Sequence, residues 1–370
     1  MSEGRYLYGI IGMSKERPKG VPSPSTSLRV NSVEGRKSFG PCGINADEEV
    51  YTVTHEDIAC VVSNSPIRDY SSMLKETLGQ LLVRHQTIIE KIMKDHAIIP
   101  VKFGTNLPDD DEIRQVLIRG YSQFKELLST MDSKIEFDVV CIWNDLNSII
   151  KEIGEEDSQI KEFKEVLAKK PASENLQDRI KIGMMIKDAL DKRKGKERSY
   201  IIASLKEITV DFQKHQVMDD KMILNCAFLL EKAKEPYFDA RLKELDKKYN
   251  QKVNFRCVGP LPPYSFATCQ LRKVGYSQID EAKRLLGLRG DISLEGIKAS
   301  YYQLAQKNHP DKNPGDAPCK QRFEEMTHAY KLLTNCFQGE GVSIPLSPRL
   351  RRTGEDKKKT DFIVVEVIKP

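Results

Sequence analysis

Aromatic and β-branched residues crowd Arg5–Ile11, and strand-like runs return at Val50–Thr54 and Ile58–Ser63. From Met73 to His96 the pattern changes, because Leu78, Leu81, Leu82, Ile88, Ile89 and Ile92 recur at helical spacing. A strand over Ala97–Phe103, a helix and a strand over Ile135–Trp143 follow. The acidic run Pro108–Glu112 suits a helix start, where carboxylates meet the positive end of the helix dipole. This order predicts an α+β fold, ferredoxin-like over residues 1–145, with helices on one face of a largely antiparallel sheet. Met13–Gly43 carries prolines at 18, 22, 24 and 41 and reads as a long mobile loop after the first strand.

The charged connection Asn144–Gln177 reads as helical, and a long amphipathic helix is expected from about Glu174 to beyond Leu205. Glu207–Val217 and Lys221–Glu231 read as paired strands turning at Asp219 and Asp220. Helix Pro236–Tyr249 and strand Lys252–Val258 complete a second small α+β domain over residues 146–268. GPLPPYSF, Gly259–Phe266, then stops the pattern, since proline lacks an amide donor and fixes φ. It is expected to seal one globular body and to hinge to the next.

Residues 279–338 read as an all-α module. Ala282, Leu285 and Leu286 mark its first helix; Ile297, Tyr301, Leu304 and Ala305 give its second one apolar face; Phe323, Met326, Tyr330 and Leu333 face inward on the third. HPDKNPGD, His309–Asp316, lies between the last two, so His309 and Asp311 are presented on a loop. Residues 339–370 read as a basic linker and a terminal strand, Phe362–Ile368, which is expected to add an edge strand to one of the two sheets of the α+β body because so apolar a β-former is an aggregation hazard when free.

Composition narrows the function classes. Hydrophobic residues make up 39% and charged residues 31% of the 370, as in soluble globular proteins. No apolar run is long enough to span a membrane and no leader pattern opens the chain, so the cytoplasm is the expected compartment and no membrane partner is expected. The eight cysteines contain no CxxC pair and read as reduced thiols, with no metal site. A net charge of +5 is too modest to imply nucleic acid. Phosphate loops, dinucleotide fingerprints, nucleophile elbows and HExxH pairs are absent from the sequence, so neither enzyme activity nor a cofactor is expected. His85 and His96 read as packing or helix-end residues, and Asp109–Asp111 as a helix start.

Two resemblances add to this reading. YLYGI (Tyr6–Ile10), IIPVKFGT (Ile98–Thr105) and GPLPPYSF together resemble the gas vesicle protein GvpL/GvpF family over about residues 5–268. That implies binding to the gas vesicle structural subunit and other gas vesicle proteins, and a place at the gas vesicle. LLGL, IKASYYQLAQKNHPDKNP and FEEMTHAYKLL resemble the J domain of DnaJ-type cochaperones. That implies a DnaK-type chaperone partner met by His309, Pro310 and Asp311, with Lys307 and Lys312 as supporting cations. The chain departs from the J pattern at Tyr302, Gln303 and Gln306, where cations are expected. A general J-domain cochaperone with an unrelated client is the alternative.

Overall fold

The computed structural model describes residues 3–13, 36–45, 47–70, 73–168, 176–289, 292–309, 316–337 and 362–368. The chain divides into two compact units, Met1–Asp132 with Ala267–Lys369, and Ser133–Phe266.

The first unit runs β1 (Glu3–Gly12), β2 (Ser38–Pro41), β3 (Glu49–His55), β4 (Ile58–Pro66), α1 (Lys75–Met93), β5 (Ile98–Pro100), β6 (Asn106–Leu107) and α2 (Asp110–Met131). Its antiparallel sheet has the order β2-β3-β4-β1-β5, with β6 also on β1. Counting β1, β3, β4 and β5 as strands one to four, the order is four-one-three-two, the ferredoxin-like arrangement, with β2 added at the edge. That edge strand corrects the expectation of a loop throughout 13–43: Ser38–Pro41 pairs with β3, and Gly40 at φ +90° accommodates the irregular register. The rest of that expected loop, residues 14–35, lies outside the described residues.

Helices cover both faces of this sheet, not one. Neighbouring residues on a strand point to opposite faces. Arg5 and Arg36 reach Asp110 at the start of α2, at 2.7 and 2.6 Å, whereas Tyr6 meets His85 of α1 and Lys37 meets His96 just beyond it. The wholly buried run Tyr6–Tyr8 requires this cover, since each face of β1 is apolar. Asp109 caps α2 by accepting from the amides of Asp111 and Glu112, as the expected helix start requires.

The second unit runs β7 (Lys134–Trp143), α3 (Leu146–Glu156), α4 (Ser158–Ala168), α5 (Leu176–Lys206), β8 (Asp211–Lys214), β9 (Met222–Glu231), α6 (Glu235–Tyr249) and β10 (Val253–Leu261). Its sheet order, β10-β7-β9-β8, is again four-one-three-two. Thus β7, expected to end the first body, opens the second. It is a central strand hydrogen-bonded on both sides, to β9 and β10. Alternation marked it as a strand but carries no information about which sheet takes it.

Phe137 of β7 stands opposite Phe228 of β9, and Phe238 of α6 lies 5.3 and 5.8 Å from their ring centroids. The same Phe137 ring explains Gly259, where a Cβ would sit 2.4 Å from Phe137 Cδ1. Gly259 itself is exposed, but its Cβ would press on the buried Phe137 ring, so Gly259→Ala is expected to destabilise this unit by about 1–3 kcal/mol, the usual cost of overpacking. Trp143, the chain's single tryptophan, lies in the same sheet, so denaturant titration by its fluorescence reads the effect. An unchanged midpoint would contradict this packing.

After Phe266 the chain returns to the first unit through β11 (Thr268–Val274), α7 (Tyr276–Leu285), α8 (Leu294–Lys307), α9 (Ala317–Phe337) and β12 (Phe362–Ile368). β11 bridges to Val101 in parallel at Cys269, and Lys102 donates its amide to the Cys269 carbonyl at 2.9 Å. At its other end Val274 is fully buried in the core of the three helices.

Candidate functional site

The three helices α7, α8 and α9 close around Ile279, Ala282, Leu286, Ile297, Met326 and Leu333. Ser293 caps α8 by accepting from the Gly296 amide at 3.1 Å. Tyr301 stacks on Tyr330 at 4.2 Å, joining α8 to α9. α8 stops at Lys307: Asn308 bonds back to the Leu304 carbonyl through both its amide and its side chain, at 3.1 and 2.9 Å. Beyond the loop, Asp316 accepts from the Cys319 amide at 3.1 Å, and the Cys319 thiol reaches the Asn308 carbonyl at 3.4 Å. The two ends of the loop are thereby fixed to one another.

His309 stands at the start of that loop, half-buried, with its ring edge-on to Phe323 of α9 at 5.5 Å. The loop motif by itself does not show this aromatic support, although Phe323 belongs to the inward pattern of the third helix. Lys307 is exposed on the last turn of α8. Pro310, Asp311 and Lys312 lie outside the described residues. On the outer face of α8, Tyr302, Gln303 and Gln306 are exposed beside Lys298 and Lys307, so the cationic face is interrupted where the sequence indicated.

The motifs of the α+β body serve two buried polar clusters. In the first unit, Gly104 has φ +84°, a conformation that favours glycine, and donates its amide to Tyr6 Oη at 3.2 Å. Tyr6 in turn lies 3.0 Å from His85 Nδ1, while Tyr8 Oη accepts from the Ile44 amide and meets Ser63 Oγ at 2.8 Å. The aromatic residues of YLYGI and PVKFG thus converge on His85. Burial lowers its pKa to about 4, with a hydrogen bond to the Val101 backbone working the other way.

In the second unit, Ser265 of GPLPPYSF donates its amide and hydroxyl to the Glu136 carboxylate at 2.8 and 2.7 Å, and its Oγ lies 3.3 Å from His215 Nε2. Burial raises the Glu136 pKa to about 7, the Ser265 hydrogen bonds work against that rise, and the Asp138 charge adds to it. A carboxyl that binds its proton more tightly folded than unfolded loses its stabilising contribution as pH rises through the folded pKa. Between pH 4.5 and about 7 this group is expected to remove on the order of 3 kcal/mol from the second unit. Glu136→Gln should flatten that slope in denaturant titrations read by Trp143 fluorescence; an identical pH profile would exclude Glu136 as its source.

Residues 4–268 match the family described as gas vesicle synthesis protein GvpL/GvpF. The chain belongs to the GvpL/GvpF family. Residues 284–336 match the DnaJ domain, so this is a GvpL/GvpF family chain fused to a J domain. Among curated relatives, gas vesicle protein F of Nostoc sp. is 23% identical over 272 residues, covering 72% of this chain and 99% of that protein. The DnaJ chaperone protein of Chlamydia pneumoniae is 49% identical over 51 residues, which is 14% of this chain and only 13% of that protein. The crystal structure of GvpF from Anabaena sp. superposes with a TM-score of 0.57 at 21% identity, covering 71% of this chain and 98% of that one. GvpF from Microcystis aeruginosa gives a TM-score of 0.53 at 20% identity, with the same coverage. Both share the α+β fold.

Among the described residues no group of three or more His, Cys, Asp or Glu side chains could hold a metal ion. No helix there is long and apolar enough to cross a membrane.

Proposed function

We propose that this chain is a gas vesicle assembly protein whose α+β body binds the gas vesicle structural subunit while its J domain recruits a DnaK-type chaperone. The observation carrying this reading is the fusion itself: one chain matches GvpL/GvpF over 4–268 and the DnaJ domain over 284–336. A subunit apolar enough to build a gas-filled shell is aggregation-prone before assembly, and coupling its binding to ATP-driven chaperoning gives the fusion a physical purpose. The chaperone contact is assigned to His309, Pro310, Asp311, Lys307 and Lys312, and the place of action to the gas vesicle. The chain needs no catalytic step of its own for this role.

The test is co-purification from cells expressing a gas vesicle cluster. Full-length protein is expected to recover both the structural subunit and the chaperone, and His309→Gln only the subunit. Recovery of the chaperone with clients unrelated to gas vesicles, and no structural subunit, would favour a general J-domain cochaperone.

A further inference from the structure

Every residue of β12 is paired with β11, from Thr268 opposite Ile368 to Val274 opposite Phe362, in unbroken antiparallel register. These two strands form a sheet of their own, so β12 does not extend either larger sheet as expected, and β11 has its other edge bridged to the first-unit sheet only at Cys269. A two-stranded ribbon is marginal by itself in water. β12 also touches α2 and α9, one helix from the sheet body and one from the J domain. β11 spans the same two bodies: Cys269 is fully buried beside Cys60 of β4, whereas Val274 sits in the helical core. The J domain is therefore mounted directly on a strand, and the outer edge of that strand is closed by a segment arriving from the far end of the chain.

We propose that the outer edge of β11 is a strand-binding site, that β12 is its tethered occupant, and that an extended β-branched segment of a partner protein takes the same place by exchange. A sheet edge offers a row of unpaired backbone donors and acceptors to any strand of fitting pattern. Main-chain bonds then supply the affinity and alternate side chains the selectivity. The selective element here is charge. Glu366 stands opposite Gln270 and diagonally across from Arg272 on the same face of the ribbon, so an acidic residue two places beyond the one facing Arg272 is favoured. Arg272 also lines a cleft with Glu281 and Glu324 of α7 and α9, placing an incoming strand beside the J helices. Because β12 belongs to the same chain, its pairing with β11 is intramolecular, and a partner strand has to compete with it.

The experiment uses the full chain with a specific protease site placed within residues 338–361 and a fluorescent peptide of residues 357–370. After cleavage of the folded protein, the released tail is expected to exchange with the peptide, giving saturable anisotropy at least tenfold tighter than for uncut protein. A peptide with Val365→Pro should bind at least tenfold more weakly, because proline removes a ladder donor. A second peptide with Val and Ile exchanged throughout and the acid retained should bind within tenfold of the first, as a site for partner strands requires. Equal binding to cut and uncut protein would overturn the proposal, as would equal binding of the proline peptide, rejection of the exchanged peptide, or no binding to cut protein whose far-ultraviolet circular dichroism is native.

Discussion

Replacing His309 by glutamine is expected to abolish stimulation of a DnaK-type ATPase while leaving the fold and capture of the gas vesicle subunit intact. Among its effects the substitution removes the edge-on ring contact with Phe323, worth about 0.5–1.5 kcal/mol. It leaves untouched the core from Val274 to Leu333 and the bonds from Asn308 and Asp316 that fix the loop ends. Lost stimulation would then report a lost contact and not an unfolded domain. Single-turnover ATP hydrolysis with wild-type and variant protein, beside circular dichroism of both, reads this directly. Equal stimulation by the two would remove the loop from the mechanism.

The outer face of α8 sets the strength of the same contact. With Tyr302, Gln303 and Gln306 exposed where cations are expected, only Lys298 and Lys307 remain on that helix face to steer an acidic partner. Gln303→Lys with Gln306→Lys is expected to raise the association rate severalfold at low salt and much less at high salt.

The first unit should weaken sharply in acid because of His85. Its imidazole is buried under Tyr6, Tyr8 and Phe103, and its pKa falls from 6.5 to about 4. A base whose folded pKa is depressed contributes stability that is complete above the unfolded pKa and is lost as pH falls through the folded one. From pH 6.5 down to about 4 the loss is on the order of 3 kcal/mol. Hydrogen exchange of the β1 amides is the measurement, since Trp143 reports on the other unit. His85→Phe should lose about 1–3 kcal/mol at neutral pH by removing the ring nitrogen that the buried Tyr6 hydroxyl meets, but should show a shallower acid slope. A wild-type slope retained in the variant would exclude His85. Glu136 pulls the second unit the opposite way over an overlapping range, so the two units should respond to acidification with contributions of opposite sign from these two groups.

Local signals carried much of this protein. The Asp109 cap, the end of α8 before His309 and the strand β9 each depend on residues within a few positions of one another, where propensity and capping act directly. The expected stop at Gly259 was misplaced, because β10 continues through Gly259 and Pro260 to Leu261, which still pairs with Glu136 of β7 after an irregularity in the register. The interrupted cationic face of α8 was legible for the same reason, because residues at i, i+3 and i+4 share a side of a helix. What could not be read depends on pairing over long separations. Tyr6 and His85 are 79 residues apart, and Glu136 and Ser265 are 129 apart. Alternation identifies β7 as a strand but assigns it to neither sheet, and it does not show that Ser38–Pro41 finds an edge on β3. Nor does any local pattern reveal that Val274, a residue on β11, completes the J-domain core, or that the terminal strand pairs with β11 and not with either larger sheet. Those partners are decided by burial and by the hydrogen-bonding needs of edges, which exist only once the chain has folded.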